Sequence, residues 1–219
     1  MKKRIRLLLA DDHKIVLDGL RSLLEPEFDL AGTVEDGRAL VSAAEKLRPD
    51  VIVVDISMPL LNGIEAVRQI KKIDSQVKVV FLTMHPDVTY AIRAFEAGAS
   101  GYVLKHSASS ELITAIHEAI KGRTYVTPMI AGELVQAYKG GTYRQAEEAQ
   151  QLTQRQREIL QLLAEGNSAK EVANLLNISP RTVEFHKHSL MTKLKLKTNS
   201  ALIQYAIKHG FVSVEGSEG

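Results

Sequence analysis

Five stretches within residues 1–122 are apolar almost without interruption: Ile5–Ala10, Leu30–Val34, Val51–Asp55, Val77–Leu82 and Gly101–Leu104. A strand that shows one face to water alternates apolar and polar residues. A strand apolar throughout must be covered on both faces, which is the pattern of a parallel sheet between helix layers. The intervening segments supply those layers. Ile15–Leu24, Ala39–Leu47, Gly63–Ile73, Val88–Ala97 and Glu111–Ile120 carry apolar residues at helical spacing, and Gly98 and Gly122 stand where helices should stop. Strand and helix alternating in this way predict a doubly wound α/β domain over residues 1–122.

In such a flavodoxin-like (βα)5 domain, ligands sit at the carboxyl ends of the strands. Polar residues there are few. Asp11-Asp12 follow the first strand, Asp55 closes the third, Thr83 follows the fourth and Lys105 the fifth. Singly, each has an ordinary explanation: a helix cap, a turn hydroxyl, a solvated charge. Together, three acids, a hydroxyl and an ammonium on one sheet rim suit a divalent cation and a phosphoryl group. Asp12, Asp55 and the backbone carbonyl of Ser57, with Asp11 acting directly or through water, form the sparse oxygen set that suits Mg2+. The Asp55 carboxylate can attack phosphorus. Lys105 and the cation can neutralise the transferring group, and Thr83 can donate its hydroxyl to it.

Bulk properties narrow the class without choosing within it. The 219 residues are 45% hydrophobic and 25% charged, ordinary for a globular protein, and contain no cysteine. Disulfides, thiolate metal sites and cysteine nucleophiles are thereby excluded. No apolar run approaches the roughly 20 residues needed to cross a bilayer. The basic start Met1-Lys2-Lys3-Arg4 leads into a stretch that Asp11 and Asp12 interrupt before a signal-peptide core forms. A cytoplasmic protein with no membrane contact is expected. The net charge of +2 is unevenly spread, since residues 151–219 carry nine Lys and Arg against six Asp and Glu. A basic segment of this size is compatible with nucleic acid.

Residues 123–138 predict an extended piece and a short helix from about Pro128. A polar stretch through Gln151 then makes 123–150 a linker with a short helix. From residue 151 the pattern is purely helical, predicting an all-α domain of four helices. Thr153 with Gln156 and Ser168 with Glu171 fit capping boxes, Gly166 fits a helix stop, and Ser179-Pro180 places a cap and then proline at the first helical position. The second and third helices form a helix-turn-helix. In the helix Pro180–Leu194, Val183, His186, Leu190 and Leu194 share the core side. The other face carries Arg181, Glu184, Phe185, His188 and Thr192. On the second helix of a helix-turn-helix, Arg181, Glu184, Phe185 and His188 are expected at base edges, with Lys170, Thr182, Lys187 and Lys193 near phosphates. The last helix, from about Asn199 to His209, is apolar on nearly every side. It needs two burial partners, so Leu202, Tyr205 and Ala206 are candidate dimer contacts.

Asp11, Asp12, Asp55, Met58-Pro59, Gly63, Thr83, Tyr102 and Lys105 together resemble the receiver domain of a two-component response regulator, over the whole of residues 1–122. The resemblance implies Asp55 as phosphoacceptor, Thr83 as switch hydroxyl, Tyr102 as the aromatic rotamer switch and Lys105 as phosphate partner. It also implies that Ser57 and His85, two residues past Asp55 and Thr83, flank the attacking water. His106 departs from the pattern, since many receivers carry proline there. The segments Leu152–Leu160, Gly166–Ala173 and Ile178–Val183 resemble the LuxR-type output domain, within a match over 152–209. The whole then resembles a NarL/FixJ-type response regulator. That implies a sensor histidine kinase, double-stranded promoter DNA, RNA polymerase, and a second copy of the chain on phosphorylation or on DNA as partners. Ala169, Asn199 and Glu184 depart from common residues of the family. Glu184 matters most, because a carboxylate accepts from cytosine N4 but cannot pair with guanine as a cation does. Two rivals stand beside this reading. An aspartate-nucleophile phosphohydrolase typically has a second acid where Ser57 stands, and a regulator working without phosphate would not need the intact acidic set.

Overall fold

The apolar runs become strands in a computed structural model that describes residues 4–140 and 152–212. In chain order the first unit contains β1 (Arg6–Ala10), α1 (Lys14–Leu24), β2 (Asp29–Val34), α2 (Gly37–Leu47), β3 (Val51–Val54), α3 (Gly63–Ile73), β4 (Lys78–Thr83), α4 (Val88–Glu96), β5 (Gly101–Leu104) and α5 (Ala108–Ile120). All the strand pairs are parallel, in the order β2-β1-β3-β4-β5-β6, where β6 is Tyr125–Val126. Their side chains explain the continuous runs. Leu7, Leu8, Leu9, Val51, Ile52, Val53, Val54, Val79, Val80 and Phe81 are all buried, because helices cover both faces. Each such side chain contributes about 1.5–3 kcal/mol relative to exposure. Side-chain oxygens start three of the helices: Asp36 accepts from the Arg38 and Ala39 N–H groups, Asn62 from Glu65 and Asp87 from Thr89.

The chain runs outward in one direction from β1 to β2 and in the other from β3 onward. The switch point therefore lies between β1 and β3. Asp11 and Asp12 follow one of these strands and Asp55 the other, so topology alone gathers the three acids.

Residues 123–138, read from sequence as lying beyond the α/β domain, contribute to its sheet. Tyr125–Val126 form β6 beside β5, and α6 (Pro128–Gly140) packs on α4. The anchor is Thr127, which is buried. Its hydroxyl donates to Glu111 Oε2 at 2.7 Å and accepts the Leu104 N–H at 3.1 Å. The polar linker stretch 141–151 and the acidic tail from 213 lie outside the described residues.

The chain forms two compact units, Met1–Tyr143 and Arg144–Gly219. The second unit holds α7 (Gln154–Ala164), α8 (Ala169–Leu176), α9 (Pro180–Lys193) and α10 (Asn199–Lys208). Both capping boxes form, and Asn177 closes α8 in the left-handed conformation, making the tight turn into α9. Ile159, Leu160, Val172, Leu176, Val183, Leu190, Leu202, Ala206 and Phe211 form one core. This corrects the expected dimer contacts. Leu202 and Ala206 are consumed by the core of their own unit, since α10 is clamped against α7, and only Tyr205 of the three keeps exposed surface.

Candidate functional site

At the carboxyl rim of the sheet, one ammonium ties two acids together. Lys105 Nζ lies 2.7 Å from Asp11 Oδ2 and 2.7 Å from Asp55 Oδ2. Burial works against the Lys105 charge, but the Asp55 charge and the hydrogen bonds Lys105 donates to both carboxylates outweigh it and hold its pKa above the ordinary value. Burial raises the Asp55 pKa, opposed by Lys105 and reinforced by the neighbouring Asp11 charge. The other Asp55 oxygen accepts the Ile56 N–H at 2.6 Å.

Acids with that much buried charge attract a dication. Asp12 Oδ1 is buried with no hydrogen-bond partner among the described residues, and ligand atoms of Asp11, Asp12 and His13 lie within 4.8 Å of one another. Oxygens of this kind fit a hard divalent cation. His13 is a member that sequence reasoning left out. Its position at a helix start suggests a cap, and the signal that could have found it is its adjacency to the acidic pair.

The loop after Asp55 is fixed by a close approach of backbones. A Cβ on Gly63 would lie 2.0 Å from the Asp55 carbonyl oxygen, and one on Gly37 would lie 1.8 Å from that of Leu61. No side chain larger than hydrogen fits at either position. Between them Leu60 adopts φ 65, a left-handed conformation that costs energy in a non-glycine residue. Gly63→Ala is expected to lower stability by about 2 kcal/mol or more and to displace Asp55. Urea unfolding measures the first effect, and the rate of phosphoryl adduct formation the second.

His85 gathers four groups. Its ring nitrogen Nε2 lies 2.7 Å from Ser57 Oγ, and its ring stacks on Tyr90 at 4.2 Å. Its backbone N–H donates to Thr83 Oγ1 at 3.3 Å, and its carbonyl accepts the Tyr102 hydroxyl at 2.8 Å. Burial lowers the His85 pKa, favouring the neutral imidazole. Tyr102 is fully buried, pointing inward, and burial pushes its hydroxyl pKa far upward. Lys105–Ser107 form a short 3-10 turn that leaves His106 exposed.

In the second unit, Arg181, Glu184, Phe185 and His188 are exposed along one face of α9, while Val183 and Leu190 are buried on the other. Phe185 is 70% exposed, which no folding requirement explains. Lys170 and Lys193 are exposed, whereas Lys187 and Thr182 are half-buried. The Thr182 hydroxyl is 2.8 Å from Ser179 Oγ in the cap of α9.

A parallel α/β unit with an acidic pocket at its switch point, joined to a helix-turn-helix unit, defines a regulator that couples an acidic receiver to a DNA-reading head. Comparison with known proteins agrees. The family "Response regulator receiver domain" matches residues 7–117, and "Bacterial regulatory proteins, luxR family" matches 150–206. The chain belongs to the two-component response regulators of NarL/FixJ type, and is a transcriptional regulator rather than an enzyme. It is 36% identical over 217 residues to the transcriptional regulatory protein MctR of Rhizobium johnstonii, covering 98% of this chain and 99% of MctR. It is 33% identical over 211 residues to the oxygen regulatory protein NreC of Staphylococcus carnosus, covering 93% and 97%. Among solved structures it resembles RcsB of Salmonella enterica serovar Typhimurium bound to a promoter with the phosphomimetic BeF3−. That match has 30% identity, a TM-score of 0.62, and covers 93% of this chain and 98% of RcsB.

Proposed function

We propose that Asp55 accepts a phosphoryl group from a sensor histidine kinase and that the modified receiver controls dimerisation and promoter binding. The observation that carries this reading is the Lys105 ammonium held 2.7 Å from both Asp11 and Asp55 inside the pocket. An Asp55 oxygen attacks phosphorus, the bond from phosphorus to the donor imidazole nitrogen breaks, and the imidazole leaves with a proton. Lys105 moves with the new charge, from a carboxylate to a phosphoryl oxygen. Asp12, Asp55 and the Ser57 carbonyl, with Asp11 directly or through water, would hold Mg2+, which supplies Lewis-acid stabilisation of the phosphoryl oxygens when bound.

The switch residues are Thr83 and Tyr102. A phosphoryl oxygen competes with the long 3.3 Å bond from the His85 N–H for the Thr83 hydroxyl, and Tyr102 reports the resulting loop position through its bond to His85. Ser57 and His85 stand beside Asp55 where water would attack. An apolar cleft of about 630 Å³ opens beside Lys105, lined by Val16, Leu20, Leu23, Leu82 and Met84, and offers a surface to the donor protein.

Within residues 151–219, Arg181, Glu184, Phe185 and His188 are read as base contacts, and Lys170, Thr182, Lys187 and Lys193 as phosphate contacts. Tyr205 remains as the dimer contact on α10. Residues 1–122 carry the receiver's pocket, and of the 123–150 connection β6 and α6 pack onto the same unit. A promoter-binding role fits a cytoplasmic protein with RNA polymerase as a further partner. Gel-shift titration with and without acetyl phosphate, paired with size-exclusion chromatography, tests the switch. Tighter promoter binding and a larger dimer fraction are expected with the donor. Identical affinity and oligomeric state in both conditions would sink the switch.

A further inference from the structure

The acidic pair has a nitrogen neighbour that an oxygen-only cation site does not require. His13 is the N-cap residue of α1, yet its side chain makes no capping bond. The ring turns to the carboxylates instead, with Nδ1 2.9 Å from Asp12 Oδ1 and 3.4 Å from Asp11 Oδ1. The shorter approach lacks hydrogen-bond geometry, because Asp12 Oδ1 has no hydrogen-bond partner among the described residues. A nitrogen and a carboxylate oxygen paired at this distance also have the spacing of neighbouring ligands. Adjacent donors around an octahedral ion with bonds of about 2.1 Å stand about 3 Å apart.

Asp11 shows which way the site faces. Its Oδ2 is taken by Lys105, while its Oδ1 looks toward His13 and accepts that residue's backbone N–H at 3.0 Å. Lys105 thus takes one oxygen of Asp11, and the imidazole stands beside the other.

We propose that His13 is an additional ligand of the dication site and that its nitrogen shifts the preference of the pocket from Mg2+ toward Mn2+, Co2+ and Ni2+. The proposal rests on reading the acidic pocket as a dication site. Carboxylate, carbonyl and water oxygens suit Mg2+, whereas imidazole adds affinity for first-row transition ions. The opposing arrangement is His13 serving only as an ion-pair partner of the acids, which would compete with every cation alike. The side chain is 58% exposed and makes no cap bond, so its removal leaves the fold of α1 intact.

Calorimetric titration of the full chain with Mg2+ and, separately, Ni2+ distinguishes these cases in the wild type, His13→Ala, His13→Gln and Asp12→Asn. Loss of the imidazole is expected to lower Ni2+ affinity about tenfold or more and to leave Mg2+ affinity within about twofold, with Gln behaving like Ala. Broadening of the His13 ring proton signals by substoichiometric Mn2+, in the absence of any phosphodonor, is the second expected readout. Equal effects on both ions in His13→Ala, whether tighter or weaker, would overturn the ligand assignment. If Asp12→Asn then abolishes both affinities, the dication pocket itself survives. A wild type that binds neither ion at millimolar concentration overturns both readings.

Discussion

Replacing Asp55 by asparagine is expected to abolish phosphorylation completely while leaving the receiver folded. Incubated with Mg2+ and acetyl phosphate, the wild type should show one phosphoryl adduct by intact mass, and Asp55→Asn none. The amide has nearly the shape of the carboxylate but is no nucleophile. No neighbouring acid can stand in for it. Asp11 is committed to Lys105 on one oxygen and to the His13 backbone on the other, and Asp12 sits toward His13. The fold should persist because Asp55 is a buried acid repelled by Asp11 and disfavoured by desolvation. Neutralising it removes that repulsion, and Lys105 keeps Asp11 as its partner. A thermal midpoint equal to or above that of the wild type is therefore expected. An adduct persisting in the variant would move the phosphoacceptor elsewhere. Rapid phosphate release by the wild type without an adduct would favour the hydrolase reading.

Leu190→Ala should uncouple the two halves of the protein by a different route. Leu190 is fully buried on the inner face of α9, amid the core formed with α7, α8 and α10. Emptying such a site costs about 2–5 kcal/mol. A helical unit of this size holds only about 3–9 kcal/mol in total, so the loss consumes much or all of it. Scanning calorimetry should show the transition of the second unit moving far down or vanishing, with promoter binding lost. Phosphorylation of Asp55 should be unchanged, because the two units are separate compact bodies. Phe185→Ala on the outer face of the same helix is the control. It should leave the melting profile intact while weakening promoter binding. An undisturbed second transition in Leu190→Ala would contradict the packing described for α9.

The difference between these two positions on one helix also shows what could be read from the sequence. The sides of α9 are legible because Val183 and Leu190 repeat at helical spacing, and the capping boxes are legible because Thr153 with Gln156 and Ser168 with Glu171 are local chemistry. The strands are legible for the opposite reason, having no periodicity at all when both faces are covered. What escaped was set by contacts distant in sequence. β6 has only two residues, and it is a strand because Thr127 is hydrogen-bonded to Leu104 and Glu111. Leu202 and Ala206 belong to a helix apolar nearly all round, and sequence cannot say which apolar side its own domain covers. The resemblance to receivers implies that Ser57 and His85 flank the pocket, but their 2.7 Å bond depends on the paths of two loops.

The walls of the pocket differ in mechanical compliance. On the side of the Asp55 loop, the starts of α2 and α3 press glycine against carbonyl at Leu61 and Asp55, with no room for even a methyl group. That wall can yield only by breaking backbone packing. Across from it, the Thr83–His85 segment rests on individual hydrogen bonds to Ser57, Thr83 and Tyr102 and on one ring stack. Charge added between a stiff support and a soft one displaces the soft one. If Asp55 is the phosphoacceptor, the direction in which the receiver would deform is set by two residues that have no side chain at all.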